Sequence, residues 1–240
     1  MTGMQIIASL FLFFIEMNSL IRKAFGLSLI TIFYNIVEGL ISVYFGASDD
    51  TLALLGFGVD SFVEVISGIG IAHMILRMKY SKVETRDTFE RTALRVTGTA
   101  FYLLTVGLIV GSVLNIINDV KPETTLPGII IAGISIMTMY WLMTSKLKVG
   151  KALNSDAIIA DANCTKTCFY LSFILLAASG LYEVFNIAYF DILGSLCIAY
   201  FAFKEGREAF EKAESGNLLC SCEDHTSILN EELSTKKVIE

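Results

Sequence analysis

Two pairs of side chains able to hold a cation stand out in an otherwise apolar sequence. GVDSFVEV places Asp60 and Glu64 four residues apart, and ADANCTKTC places Cys164 and Cys168 at the same spacing. Residues i and i+4 lie one above the other on one face of an α-helix. Each pair therefore presents two ligands, one turn apart, to one side of its helix. Asp161, three residues before Cys164, borders the thiol face, as a ligand or as a partner that orients one. Two carboxylates and two thiolates amount to four donors, the number zinc prefers, and of types it accepts. Thiolates favour zinc, cadmium, Cu(I) or iron, whereas carboxylates alone favour magnesium, calcium or manganese. The mixed set points to a borderline-to-soft divalent ion, with Zn2+ first and Cd2+ or Fe2+ as alternatives.

The elements that must position these ligands are membrane helices. The chain has 240 residues, of which 54% are hydrophobic and only 2 are proline, and its mean hydropathy is +0.65. Soluble domains are about 45–50% apolar. Segments 27–46, 51–76, 98–118, 128–144, 155–179 and 185–203 are apolar, each near the ~17–25 residues that a spanning helix needs. Backbone groups in lipid must be satisfied internally, so helices are expected rather than loops. The expected fold is an all-α membrane protein with six transmembrane helices. An ionisable residue inside a span costs about 2.5–3.5 kcal/mol on insertion scales, which marks Asp60 and Glu64 as functional by default.

Charge placement gives the orientation, because Lys and Arg collect in cytoplasmic loops. Arg22 and Lys23 precede span one, and Arg77, Lys79, Lys82, Arg86, Arg91 and Arg95 lie between spans two and three. Lys146, Lys148 and Lys151 lie between spans four and five, and Lys204, Arg207, Lys212, Lys236 and Lys237 follow span six. All of the 18 basic residues except Lys121 and Lys166 thus fall on one side. We expect both termini in the cytosol and an integral protein of the plasma or inner membrane. The net charge of −6 offers no footprint for nucleic acid.

The sequence divides into an N-terminal cytosolic or interfacial segment (1–24), a six-helix transport domain (25–203) and a cytosolic tail (204–240), partly helical and then disordered. MQIIASLFLFFI near the start is too short to span and lacks the basic region and cleavage site of a signal peptide. Cys164, Cys168 and Cys197 fall in spans, and Cys220 and Cys222 in the tail. The cytosol keeps thiols reduced, so ligation is a better reading than cross-linking. Cys197 alone reads as a small packing residue. CSCEDH gathers Cys220, Cys222 and His225, a weaker cluster able to collect metal, although disordered tails tolerate such residues. Gly107 and Gly111 in span three form the small-residue spacing that lets two helices approach, which suits a homodimer.

The two ligand helices also resemble each other. TLALLGFGVDSFVE (51–64) lies on SDAIIADANCTKTC (155–168) without a gap, matching Asp60 to Cys164 and Glu64 to Cys168. Transporter folds often retain such repeats, with the site between them near the bilayer midplane.

These motifs, over residues 25–203, resemble the cation diffusion facilitators, also called cation efflux proteins. The resemblance rests on Asp60-x-x-x-Glu64 after ALLGFG, on Ala160-Asp161-Ala162 leading into Cys164-x-x-x-Cys168, and on Asp191 near the start of span six. It implies efflux of a metal cation from the cytosol in exchange for protons. Family members carry His and then Asp where this chain has Cys164 and Cys168, so a softer or different ion is implied. The family's folded C-terminal domain has no counterpart in 204–240. The thiols support proton exchange on their own account, since they must lose protons to bind metal.

Competing readings attach to the same residues. Asp60 and Glu64 can instead be structural, paired with Lys166 or with polar groups on other spans. Cys164 and Cys168 can pack as small residues or act as an intramembrane thiol oxidoreductase, although the spacing is not C-x-x-C and no cofactor motif accompanies them. A metal receptor that moves no ions would carry the same ligands. Asn35 and Glu38 share one face of span one; they extend the site, relay protons, or make a helix–helix hydrogen bond. Lys166 faces away from the cysteines, to pair with Glu38 or to snorkel. His73 reads as an interfacial polar residue. No P-loop, glycine-rich nucleotide fingerprint or hydrolytic triad is visible, so no enzyme is expected.

Overall fold

The computed structural model describes residues 3–78 and 88–215, and nearly all of them are helical. α1 (Gly3–Ser48), α2 (Leu52–Met78), α3 (Thr88–Ile117), α4 (Leu126–Leu153), α5 (Asp156–Phe185) and α6 (Tyr189–Ser215) follow one another in sequence. The breaks between them have local causes. Asp50, Asp119, Asn154 and Asn186 take positive φ just past the ends of α1, α3, α4 and α5. Asn and Asp tolerate this left-handed conformation better than other non-glycine residues, and it ends a helix. Pro127 sits in the first turn of α4, where its missing N–H costs nothing.

One cap is supplied from across the bundle. Asp191 of α6 accepts hydrogen bonds from the N–H groups of Leu52 (2.8 Å) and Ala53 (3.2 Å), the first two residues of α2. A carboxylate at a helix N-terminus satisfies free donors and complements the helix dipole. Asp191 thus fixes the helix that carries Asp60 and Glu64.

α1 packs chiefly on α2, α3 on α6 and α4 on α5, while α2 also meets α3, α5 and α6. The main core joins Leu54 and Phe57 of α2 to Leu104 of α3, Leu171 and Leu175 of α5 and Ile198 of α6. Outside it the bundle is apolar: Phe33, Leu103, Ile117, Met137 and Val184 are each at least 70% exposed. Soluble monomers rarely show such a belt, and lipid covers it. α1 to α5 each contain a stretch long and apolar enough to cross a membrane. α6 differs because Asp191 opens it and Lys204, Glu205, Arg207 and Glu208 follow its apolar run within one helix. The chain is an all-α membrane protein whose described residues form six helices.

Several details depart from the sequence-based expectation. Lys146, Lys148 and Lys151 belong to α4, since the α4–α5 turn is only Asn154 and Ser155, and Lys146 is buried. The helix continues past Phe203 to Ser215, as a partly helical tail implies, but Glu208 and Lys212 in it are buried rather than solvated. The N-terminal apolar stretch is continuous with span one in a single helix of 46 residues. Lys79, Lys82, Arg86 and the tail cluster Cys220, Cys222 and His225 lie outside the described residues.

The α1–α2 seam is closed by glycines. A Cβ on Gly58 would lie 2.7 Å from the Val43 nitrogen, and one on Gly46 would lie 2.5 Å from the Leu55 nitrogen. In the Gly107/Gly111 pair, by contrast, Gly107 has nothing within 4 Å and Gly111 already meets Leu52 of α2 at 3.0 Å. We expect Gly58→Leu to lower the thermal unfolding temperature in detergent, with an overpacking cost of about 1–3 kcal/mol. Gly107→Leu should leave that temperature unchanged.

Candidate metal site

All six helices line a cavity of about 80 Å³, in the half of the bundle nearer the α4–α5 turn. A water occupies roughly 30 Å³ of liquid, so the space suits an ion with a few waters. Asp60, Glu64, Cys164 and Cys168 all border it, so the two helical pairs do face one another.

The cavity wall carries oxygen atoms with bonding capacity to spare. Asp60 is buried, and among the described residues no hydrogen bond or ion pair reaches its carboxylate. Asn35 is fully buried; its Nδ2 donates to Glu64 Oε2 at 2.8 Å, while its Oδ1 has no partner among the described residues. Thr97 Oγ1 is likewise buried without a partner among the described residues. Leaving such an atom unsatisfied costs about 1–3 kcal/mol. A cation at this place would relieve the cost with the lone pairs already present.

The repeated helices meet through their matched residues. Cys168 Sγ donates a hydrogen bond to Glu64 Oε1, across a separation of 104 positions. The same offset relates Leu52, the first residue of α2, to Asp156, the first of α5. Cys168 Sγ also lies 3.3 Å from the Cys164 carbonyl oxygen of the preceding turn. Cys164 Sγ accepts from Lys212 Nζ of α6 at 3.7 Å. Lys212 is itself buried and pairs with Glu208 at 2.8 Å. Among the described residues, no three His, Cys, Asp or Glu side chains converge as a closed metal cluster. The physical reason is visible in these contacts: one thiol is held by a carboxylate and the other by an ammonium.

Asp161 is occupied by a cation of the protein's own. Its two carboxylate oxygens each lie 3.0 Å from Lys146 Nζ of α4, which also donates to Thr165 Oγ1 at 3.0 Å. Glu38 does not border the cavity; it accepts hydrogen bonds from Tyr34 OH (2.8 Å) and Ser61 Oγ (3.2 Å), one turn beyond the Asn35–Glu64 bond. Of the two alternatives for Lys166, pairing with Glu38 is not seen among the described residues. Lys166 is exposed, with its ammonium 5.9 Å from the Tyr170 ring centre. His73 lies 3.5 Å from Glu90 at the α2–α3 seam, and Cys197 is a half-buried free thiol away from the cavity. The charge count takes Lys146 and Lys212 only as cytosolic basic residues, and Glu205 and Glu208 carry no expectation from the sequence. Positions 205, 208 and 212 follow helical spacing on one face, a signal that extends beyond the apolar run.

The family profile for the cation efflux transmembrane domain matches residues 28–215, which ends at the last residue of α6. The chain belongs to the cation efflux family. No curated protein matches the sequence. Membership of this family makes the protein a transmembrane exporter of metal cations. The charged turns of α6, with Glu205, Glu208 and Lys212, fall within the family domain.

The Lys146–Asp161 pair ties α4 to α5 directly beneath the cysteines. Breaking a buried pair on one side leaves an uncompensated charge and costs about 3–5 kcal/mol. Lys146→Met should lower the thermal unfolding temperature strongly, and combining it with Asp161→Asn should restore most of the loss. Equal destabilisation in single and double variants would contradict a direct pairing.

Proposed function

We propose that the protein exports a borderline-to-soft divalent cation in exchange for protons, with Asp60, Glu64, Cys164 and Cys168 as its ligands. Zn2+ is the favoured substrate, and Cd2+ or Fe2+ the alternatives. The observation that carries this reading is the hydrogen bond from Cys168 to Glu64. The thiol proton occupies the space between two ligands of opposite repeats. A cation entering there takes the proton's place: the S–H bond breaks, metal–sulfur and metal–oxygen bonds form, and one proton leaves. Reprotonation of the thiol reverses the exchange and expels the ion.

The rest of the site serves that exchange. Asp60 supplies a carboxylate with no competing partner, and Asn35 orients Glu64 through Nδ2 while keeping Oδ1 available. Asp161 is held by Lys146 and so positions the cysteine helix rather than the ion. With the basic ends of the helices in the cytosol, the cavity faces the compartment from which metal is taken. Rocking of helix pairs about the fixed α2–α5 contact would then alternate access. A thiol redox pair is less well supported, because Cys168 engages Glu64 and Cys164 engages Lys212, and both thiols are free.

The test is pH-gradient-driven uptake of Zn2+, Cd2+, Fe2+ and Mn2+ into proteoliposomes. Wild type should accumulate Zn2+ or its soft neighbours well above Mn2+. Cys164→Ser combined with Cys168→Ser should remove the flux while leaving the protein folded. Undiminished flux in that variant would contradict the ligand assignment, and binding without flux would indicate a receptor.

A further inference from the structure

We infer that Lys212 is a tethered cation that competes with the transported metal for Cys164, and so sets how readily the site releases its substrate. The inference rests on the reading of Cys164 as a ligand. Three observations carry it. Lys212 borders the same cavity as Asp60, Glu64, Cys164 and Cys168. Its ammonium lies 3.7 Å from Cys164 Sγ, within reach of the lone pairs a metal would use. It is only 6% exposed, so its charge is borne inside the bundle.

The charge balance explains why a lysine belongs there. Asp60, Glu64 and Glu205 border the cavity, and Glu208 lies beside Lys212. Buried carboxylates without a nearby cation are costly. Lys146 lines the cavity too but is held by Asp161, so in the metal-free protein the ammonium of Lys212 balances the remaining carboxylates from α6. A divalent ion at Cys164 repels the ammonium and removes the sulfur it touches. Lys212 need not leave the protein to make room. It keeps Glu208 at 2.8 Å, one turn back along its own helix, and its four-carbon stem can swing while that ion pair persists. When the metal departs, the ammonium returns to the sulfur and opposes rebinding. The same residue therefore weakens binding and speeds release.

This differs from a merely structural lysine in a measurable way. Removing a structural cation would weaken binding or unfold the protein, whereas removing a competitor strengthens binding. We would titrate the purified full-length protein with Cd2+, following the thiolate-to-metal charge-transfer absorbance, and measure proteoliposome transport in parallel. Lys212→Met should lower the Cd2+ Kd by about fivefold or more, since a like charge beside the ion is gone. Its KM and maximal transport rate should fall together, and Lys212→Arg should return both towards wild type. If Lys212→Met does not fold, Lys212→Met with Glu208→Gln removes the stranded carboxylate and should show the same tightening. An unchanged or higher Kd in the folded variant would overturn the inference and leave the ligand assignment intact. Wild type that binds Cd2+ with no thiolate band would overturn both.

Discussion

At the centre of the bundle a thiol proton lies between Cys168 of α5 and Glu64 of α2, and the surrounding structure is arranged around that contact. It joins the two helices that carry all four proposed ligands, at positions equivalent under the internal repeat. It also places an exchangeable proton where a cation's ligands must converge. Asp191 caps the start of α2, Asn35 holds the other oxygen of Glu64, and Ser172 of α5 donates to Ser135 of α4 one turn beyond Cys168. Asp191 and the Ser172–Ser135 bond fix helices away from the cavity, whereas Asn35 also borders its open space.

The same constraint accounts for the buried lysines. An apolar bundle tolerates carboxylates only when their charge is balanced or neutralised. Lys146 balances Asp161 with two contacts at 3.0 Å and donates to Thr165 at the same distance. Lys212 holds Glu208 by a short ion pair and Cys164 by a longer contact, an arrangement suited to letting one partner go. Two lysines of the same type thus take different parts, one fastening α4 to α5 and the other balancing the cavity from α6. Glu38 lies outside this balance, sealed between Tyr34 and Ser61 in the tight α1–α2 seam.

Much of this was legible in the sequence. Apolar runs located the helices, and the four-residue spacing of Asp60 with Glu64 and of Cys164 with Cys168 put each pair on one face. The gapless match of 51–64 with 155–168 related α2 to α5, but the direct contact of Glu64 with Cys168 was not contained in it. What sequence patterning could not separate was a lysine in a loop from a lysine at the end of a buried helix. Lys146 and Lys212 contributed to the basic side in the charge count, yet both side chains fold back into the bundle. The end of the apolar run at Phe203 likewise marked a change of solvent rather than the end of α6. The partners of Asp161 and Cys164 depend on how α4 and α6 pack, which no local spacing encodes.

The account stands or falls on whether the cation takes the place of the Cys168 proton. Proton release on adding Zn2+ to the purified protein in weakly buffered solution measures this directly. Wild type should release protons in proportion to bound metal, and Cys168→Ser should release about one fewer per site at whatever occupancy it retains. Metal that binds without releasing protons, or a release unchanged by removing the Cys168 thiol, would contradict it.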